Sequence, residues 1–457
     1  MATPRVRDHP GGVARPRLLA GRARRAAPGP ARRGVAGAGP QRAAAAGRRA
    51  VSTTRPASLW QRFALVRALG GGVSTGPHFT LNAVLRVEGE FDVRALVAAA
   101  GDLVARHELL RTRLDLDAAV QVVEDAVVPD VEVLDDPAAV DVLHRPVLST
   151  APTPLALRVA RRSPREHVLS AHLHHLLGDP ATLWRLLDDL GALYSARCGA
   201  PEPEPPTGQF GDFAEFEAEV ERAHRAEAEA WWGGHLGGSR FAVPPPVVGE
   251  PYARRRTVLA AEDQAALESR ARALRGSPFA ALTAVLVAGM AEHATGGDRV
   301  VFSTLFLRRD HPRWRTLAGP CITPSYLVVP FDATADVRGL TAAAAKAQRF
   351  SRYPVWELEG RVPGLDEHAP FVELIPPLRP GTIPFGPARA VVERAAGSRD
   401  DGRPAKLGLR LRKDDAGSLV AHVSGDGAGW TEPIVDAVLD GVAGRSRALG
   451  ATRAPAR

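Results

Sequence analysis

Two hydrophobic periods alternate along this chain. Thr80–Val87, Val120–Val123 and Leu155–Val159 are short runs rich in β-branched and aliphatic residues, and they predict strands. Between them, Val93–Arg106 carries its apolar residues at helical spacing and predicts an amphipathic helix. The segment His167-Val168-Leu169-Ser170-Ala171-His172-Leu173-His174-His175 reads as another strand. Strand side chains alternate faces, so Val168, Ser170, His172 and His174 share one side. Leu169, Ala171, Leu173 and His175 share the other, which is more apolar. A helix is predicted immediately afterwards. Asp179 suits its N-cap, and Pro180 suits its first position, where no N–H is needed. Leu183, Trp184, Leu186, Leu187, Leu190, Leu193 and Tyr194 then recur at helical intervals.

Further along, Pro201–Pro206 is a Pro/Glu-rich linker, and a charged helix is expected from about Phe213 to Trp232. Pro244–Pro246 breaks the chain. Gln264–Leu274 and Pro278–Ala294 predict two helices, the second apolar on most sides and therefore buried. Val300–Leu307 predicts a strand, Leu407–Leu411 and Leu419–Val423 a hairpin, and Glu432–Leu449 a closing helix. No internal repeat is present. At 457 residues the chain exceeds one ordinary core. Mixed elements on both sides of a Pro-rich seam predict an α/β (α+β) protein of two lobes, 55–225 and 226–457.

Composition changes this picture only at the N-terminus. The formal net charge is +8, yet residues 1–50 hold twelve arginines against one acid, Asp8, leaving about −3 for the remainder by difference. The excess basicity thus belongs to an Arg/Ala/Gly/Pro tail, 1–54, without apolar periodicity and expected to be disordered. No apolar run approaches the ~20 residues that span a bilayer, and the tail lacks the apolar core of a secretory signal. Cys198 and Cys321 form neither a disulfide framework nor a CxxC pair. A reducing cytoplasm is the expected location. Neither nucleic acid nor membrane is expected as a partner, and the protein is expected to be a monomer.

The candidate chemistry lies at His174-His175-Leu176-Leu177-Gly178-Asp179. An imidazole whose ordinary pKa lies near neutrality can act as a general base, and a carboxylate four residues on can anchor the loop. Taken singly, each residue also has a structural explanation. Asp179 could be only a cap, His172 and His174 only polar strand residues, and His175 a satisfied core histidine. A metal site built on His172, His174 and His175 is not expected, because His175 faces away from the others and no downstream ligand set matches. A Ser/His/Asp hydrolase would need a GxSxG elbow, which is not expected here. No GxxxxGK[ST] loop occurs, so any ATP-driven activation must happen elsewhere.

A series of segments in a set order carries a resemblance. Arg106-His107-Glu108-Leu109-Leu110-Arg111-Thr112-Arg113-Leu114 is similar to an RHExLRTxF motif, and His174–Asp179 matches the HHxxxD part of HHxxxDG. Phe210–Phe216 looks like YxDYAxW, and Trp232–Gly237 like the helix end after it. Arg309 falls where an arginine closes a strand. Gly319-Pro320-Cys321-Ile322 resembles the start of GxFVNT, Tyr353-Pro354 the YPFE segment, and Ser58 with Gln61 an opening SxAQ motif. In this order, over about residues 55–450, the chain resembles the condensation domain of nonribosomal peptide synthetases, within the chloramphenicol-acetyltransferase-like acyltransferases.

The resemblance implies two acetyltransferase-like lobes in a V-shaped pseudo-dimer, with a tunnel between them that admits substrates from both ends. It implies acyl transfer from a thioester to an amine or hydroxyl, forming an amide or ester in natural-product biosynthesis. The acyl group would ride on the phosphopantetheine of an acyl or peptidyl carrier protein supplied in trans, or on coenzyme A, with no cofactor bound permanently. His175 would be the catalytic residue, supported by His174 and by an Asp179–Arg309 pair. Arg106, His107, Arg111, Ser303 and Tyr326 are the candidates for lining the tunnel. The chain departs from the family in several places. Pro180 replaces the motif glycine, Thr323-Pro324 stands for Asn-Thr, and Val328 stands where an arginine is common. Of RDxSRNPL only His368-Ala369-Pro370-Phe371 remains. These changes bear on substrate choice and on activity. A catalytically silent module that recruits a carrier protein or a tailoring enzyme is the alternative they raise.

Overall fold

The computed structural model describes residues 52–69, 74–309, 311–330, 337–365, 369–375, 381–397 and 406–449. The expected disordered tail, apart from its last three residues, and His368 lie outside the described residues. The first strands are β1 (Thr53–Pro56), β2 (Thr80–Gly89), β3 (Thr112–Asp115), β4 (Val120–Val123) and β5 (Asp130–Leu134). They are followed by β6 (Leu155–Ser163), β7 (Glu166–His174), β8 (Tyr252–Leu259), β9 (Arg299–Leu307) and β10 (Ile322–Pro330). The last five are β11 (Phe371–Leu374), β12 (Thr382–Phe385), β13 (Ala388–Ala396), β14 (Leu407–Lys413) and β15 (Leu419–Gly425).

These strands form two large sheets and one small one. The first large sheet runs β12-β13-β2-β7-β6-β5 and the second β10-β9-β11-β14-β15-β8; β1-β4-β3 form the small sheet. Each large sheet packs its own hydrophobic core, so the mixed α/β class and the pair of lobes follow from two separate sites of burial. The lobes are not cut at residue 226, however. The charged helix runs without a break from Phe210 to Leu236, across that boundary. Strand β13, late in the chain, pairs with β2 of the first sheet, and β12 pairs with β13 at that sheet's edge. An added Cβ at Gly191 would lie 2.4 Å from the Pro384 carbonyl oxygen, so a glycine there lets β12 approach the helix over Pro180–Arg197. The expected closing helix also divides, into Glu432–Asp440 and Val442–Ala448 at Gly441. Among the described residues, no single helix is long and apolar enough to cross a membrane.

Four helices position the site. They are α1 (Leu59–Leu69), α2 (Val93–Arg106), α3 (Pro180–Arg197) and α4 (Phe210–Leu236). Helix α1, which has little amphipathic pattern, opens with a reciprocal cap. The Ser58 hydroxyl accepts from the Gln61 N–H at 3.3 Å, and the Gln61 side-chain oxygen accepts from the Ser58 N–H at 2.9 Å. The SxAQ-like segment is thus, first of all, a helix start.

Candidate functional site

Strand β7 lies inside the first sheet between β2 and β6, and both of its faces are buried, Leu169, Ala171 and Leu173 in one cluster and Val168 in another. It ends at His174, one residue earlier than the alternating pattern implies, and His175 begins the turn into α3. The His175 N–H still donates to the Phe79 carbonyl at 2.8 Å, extending the pairing with β2 by one bond.

The histidines occupy different surroundings. His172 is buried between the Asn82 side-chain oxygen, 2.9 Å from Nδ1, and the Ser170 hydroxyl, 3.1 Å from Nε2. Burial pushes its pKa down to about 3, helped by the charges of Arg145 and Arg158. His174 accepts the Leu176 N–H at Nδ1 (3.3 Å), so its Nε2–H donates to the Gly76 carbonyl at 3.2 Å. Burial pushes it down to about 4. Both rings are neutral structural members with each nitrogen engaged.

His175 differs. Its Nδ1 lies 2.7 Å from the Gly178 carbonyl oxygen, which can only accept. Nδ1 therefore carries the proton and Nε2 keeps its lone pair, with no hydrogen-bond partner among the described residues. The ring is stacked on Phe79, with centroids 4.8 Å apart at 16°, and tilted against Trp60 at 5.3 Å. The Trp60 indole N–H donates to the His175 carbonyl at 3.0 Å. Burial holds the imidazole below its ordinary 6.5; the Gly178 bond and the Asp179 charge oppose that shift, and the charge of Arg410 adds to it. Arg410 belongs to β14, so the second sheet approaches this ring.

Asp179 is wholly buried and does two jobs. As N-cap of α3 its Oδ1 accepts from the Thr182 N–H at 2.8 Å and from the Thr182 hydroxyl at 2.7 Å. Both carboxylate oxygens also lie 2.8 Å from Nη2 of Arg309, and Oδ2 accepts the Cys321 N–H at 3.1 Å. Arg309 donates further to the Gly319 carbonyl at 2.8 Å and to the Leu317 carbonyl. Burial alone would lower the Arg309 pKa, but the Asp179 charge raises it on balance. Alternation at the end of β9 sends the neighbouring Arg308 the other way, to the Gln348 carbonyl at 2.8 Å inside the second lobe.

Three tunnel candidates stand elsewhere. His107 Nε2 lies 2.7 Å from Asp189 Oδ2, and Arg106 is 3.6 Å from the same oxygen while donating to the Pro203 and Glu204 carbonyls. Asp189 sits ten residues beyond Asp179 on α3, about 15 Å along that helix. Burial would raise the Asp189 pKa, but the bonds from His107 and Arg185 lower it on balance. Arg111 donates to the Glu124 carbonyl. Glu108 accepts the Gly211 N–H at 2.6 Å, and its own N–H donates to Gln209 at 3.0 Å, so this motif joins α2, α3 and the start of α4. Its charges are spent on architecture rather than on a channel wall.

In the second sheet, Tyr326 is buried and its hydroxyl meets Glu359 at 2.6 Å, together with Arg67 of α1. Ser303 is half-buried and pairs with Phe371, which puts it on the same sheet face as Glu373 and Arg410. Pro324 is accommodated because β10 is an edge strand. Pro180 takes the first position of α3 and is exposed. One sequence expectation needs correction. Gly72-Val73-Ser74-Thr75-Gly76 does spell GxSxG, but it follows helix α1 and precedes strand β2, the reverse of a strand-to-helix elbow. Among the described residues, no three His, Cys, Asp or Glu side chains converge as metal ligands.

Residues 73–361 match the family model described as Condensation domain. Among curated relatives, Tyrocidine synthase 2 of Brevibacillus parabrevis is 29% identical over 201 residues, covering 41% of this chain and 5% of that much longer protein. The SgcC5 protein of Streptomyces globisporus superposes with a TM-score of 0.69 at 21% identity, over 88% of this chain and 100% of SgcC5. The X-domain solved in complex with OxyB from teicoplanin biosynthesis gives a TM-score of 0.67 at 22% identity, over 86% of this chain and 93% of that one. With the family model spanning more than half of its residues, this chain belongs to the condensation-domain family.

Proposed function

We propose that the protein is a condensation-type acyltransferase that moves an acyl group from a thioester to an amine or hydroxyl acceptor. The thioester would be borne by the phosphopantetheine of a carrier protein or by coenzyme A, and the product is an amide or ester. The observation that carries this reading is the tautomer of His175: Nδ1–H given to Gly178 at 2.7 Å and Nε2 left as a lone pair. As the acceptor's nitrogen or oxygen bonds to the thioester carbon, its proton passes to Nε2. Collapse of the tetrahedral intermediate then breaks the carbon–sulfur bond, and that proton leaves on the thiol. A base of lowered pKa stays unprotonated across a wide range, so activity should fall only below the ordinary histidine value of about 6.5.

A second reading, a silent module that recruits a carrier protein or tailoring enzyme, is favoured by one observation. Pro180 brings no N–H to the start of α3, and the Thr182 and Leu183 N–H groups are taken by Asp179. That helix start therefore offers few donors to an oxyanion. Intact-protein mass spectrometry of acyl-loaded carrier protein with a panel of amines and alcohols separates the two. Acyl transfer by the wild type, lowered about 100-fold or more in His175→Ala, supports the enzyme. An inert wild type that gains turnover on Pro180→Gly supports the module.

A further inference from the structure

Strands β11, β14, β15 and β8 lie side by side, and their registers align Glu373, Arg410, His422 and Arg255 in one row. Arg412, two residues from Arg410, shares this face. The opposite face carries Leu409, Leu411, Ala421 and Val423 into the core. Three guanidiniums and an imidazole thus crowd one surface against a single carboxylate in the row. Their counter-charges are poor. Arg410 reaches Glu373 only at 3.9 Å, and among the described residues neither Arg255 nor Arg412 makes an ion pair. On the other face of β8, by contrast, Arg254 and Arg256 grip Asp436 directly. Arg410 lies over the Phe371 ring at 5.2 Å, and among the described residues its guanidinium makes no hydrogen bond. Its side chain keeps 46% of its surface accessible.

We propose that this face is an anion subsite beside His175, in which Arg410 holds a free carboxylate on the acceptor. The proposal rests on the acyl-transfer reading above and names the acceptor class: an amino or hydroxy acid taken as the free acid. An acceptor tethered through its carboxyl as a thioester would have no carboxylate to offer. The phosphate of a pantetheine arm is the other anion at hand, but many bonds separate it from a thioester placed at His175. A planar carboxylate matches the guanidinium fork. The cationic wall also acts on the acceptor's other end: it disfavours an ammonium there, as it disfavours a charged His175, and so favours the neutral nucleophile. Burial raises the Glu373 pKa, against the pull of the Arg410 charge.

The test pairs amino acids and hydroxy acids with their carboxamides as acceptors for the full chain, using Arg410→Gln and Arg410→Lys. The wild type should prefer each acid by about 10- to 100-fold in kcat/KM, mostly through KM. R410Q should erase that ratio and R410K retain part of it, with far-ultraviolet circular dichroism and Tm showing that both variants fold. Equal losses on acids and amides, or a preference that follows an anionic group on the acyl donor instead, overturn the subsite. If no acceptor turns over, saturation-transfer NMR with the same acids and amides still decides. Acid-selective binding lost in R410Q upholds the subsite while acyl transfer fails, and indifference to the carboxylate overturns it.

Discussion

At the scale of single residues, the candidate base depends on a glycine that no motif singles out for chemistry. Gly178 supplies the carbonyl that fixes the His175 tautomer, and it sits where a Cβ would lie 2.2 Å from Cδ2 and 2.9 Å from Cγ of Leu173. Gly178→Ala should therefore cost about 1–3 kcal/mol by overpacking and displace that carbonyl. Nitrogen chemical shifts of His175 should change from one tautomer to a mixture. An unchanged Nδ1–H tautomer in a destabilised protein would show that something other than Gly178 holds the ring. The histidine and the carboxylate were legible in the sequence because a motif spells them. Phe79 and Trp60, which wall the ring, were not, since aromatic contacts between distant segments leave no spacing to read.

At the scale of elements, the start of the helix after the motif was readable to the residue, because a cap and a first-turn proline are local signals. Its long-range role was readable only through the family resemblance. Asp179 ties the start of α3 to the end of β9, and Arg309 is the sole guanidinium in contact with that carboxylate among the described residues. Arg309→Leu strands a buried charge and should cost about 3–5 kcal/mol, whereas Asp179→Asn combined with Arg309→Leu should recover part of that loss. Urea midpoints of the three variants measure this, and a loss under about 1 kcal/mol in the single mutant would rule out the clamp. The crossover of β12 and β13 into the first sheet escaped pattern reading for a related reason. Strand β12 has four residues, and β13 pairs with a strand some three hundred residues earlier, so nothing in their own periodicity reports the partner. The arginines and histidine near 106–111 misled in the opposite sense. The resemblance offered them for a channel wall, but a motif match does not say whether a backbone carbonyl and a buried aspartate already use their charge.

At the scale of the whole molecule, the buried histidines of β7 tie global stability to pH with a sign that can be worked out. His172 and His174 titrate near 3 and 4 in the folded protein because burial opposes their charged forms. In the unfolded chain they titrate near 6.5. Between those limits the unfolded state binds protons that the folded state refuses, so folding weakens as pH falls below about 6.5. Each histidine contributes about 1.4 kcal/mol per pH unit over its window, or roughly 3 kcal/mol per unit for the two together between pH 6 and pH 4. Glu217, whose pKa burial raises, pulls the other way, because the folded state takes up its proton first as pH falls. Substituting a single histidine separates its share of the slope from that of Glu217. Denaturant unfolding at pH 7, 6 and 5 should show the free energy falling from each step to the next. Replacing His172 by Gln removes one of the two protons, and the slope between pH 6 and pH 5 should shrink by about 1.4 kcal/mol per unit whatever the substitution does to stability at pH 7. A flat profile in the wild type, or the same slope with and without the imidazole, would mean that these rings are hydrated in solution and that β7 is not closed on both faces.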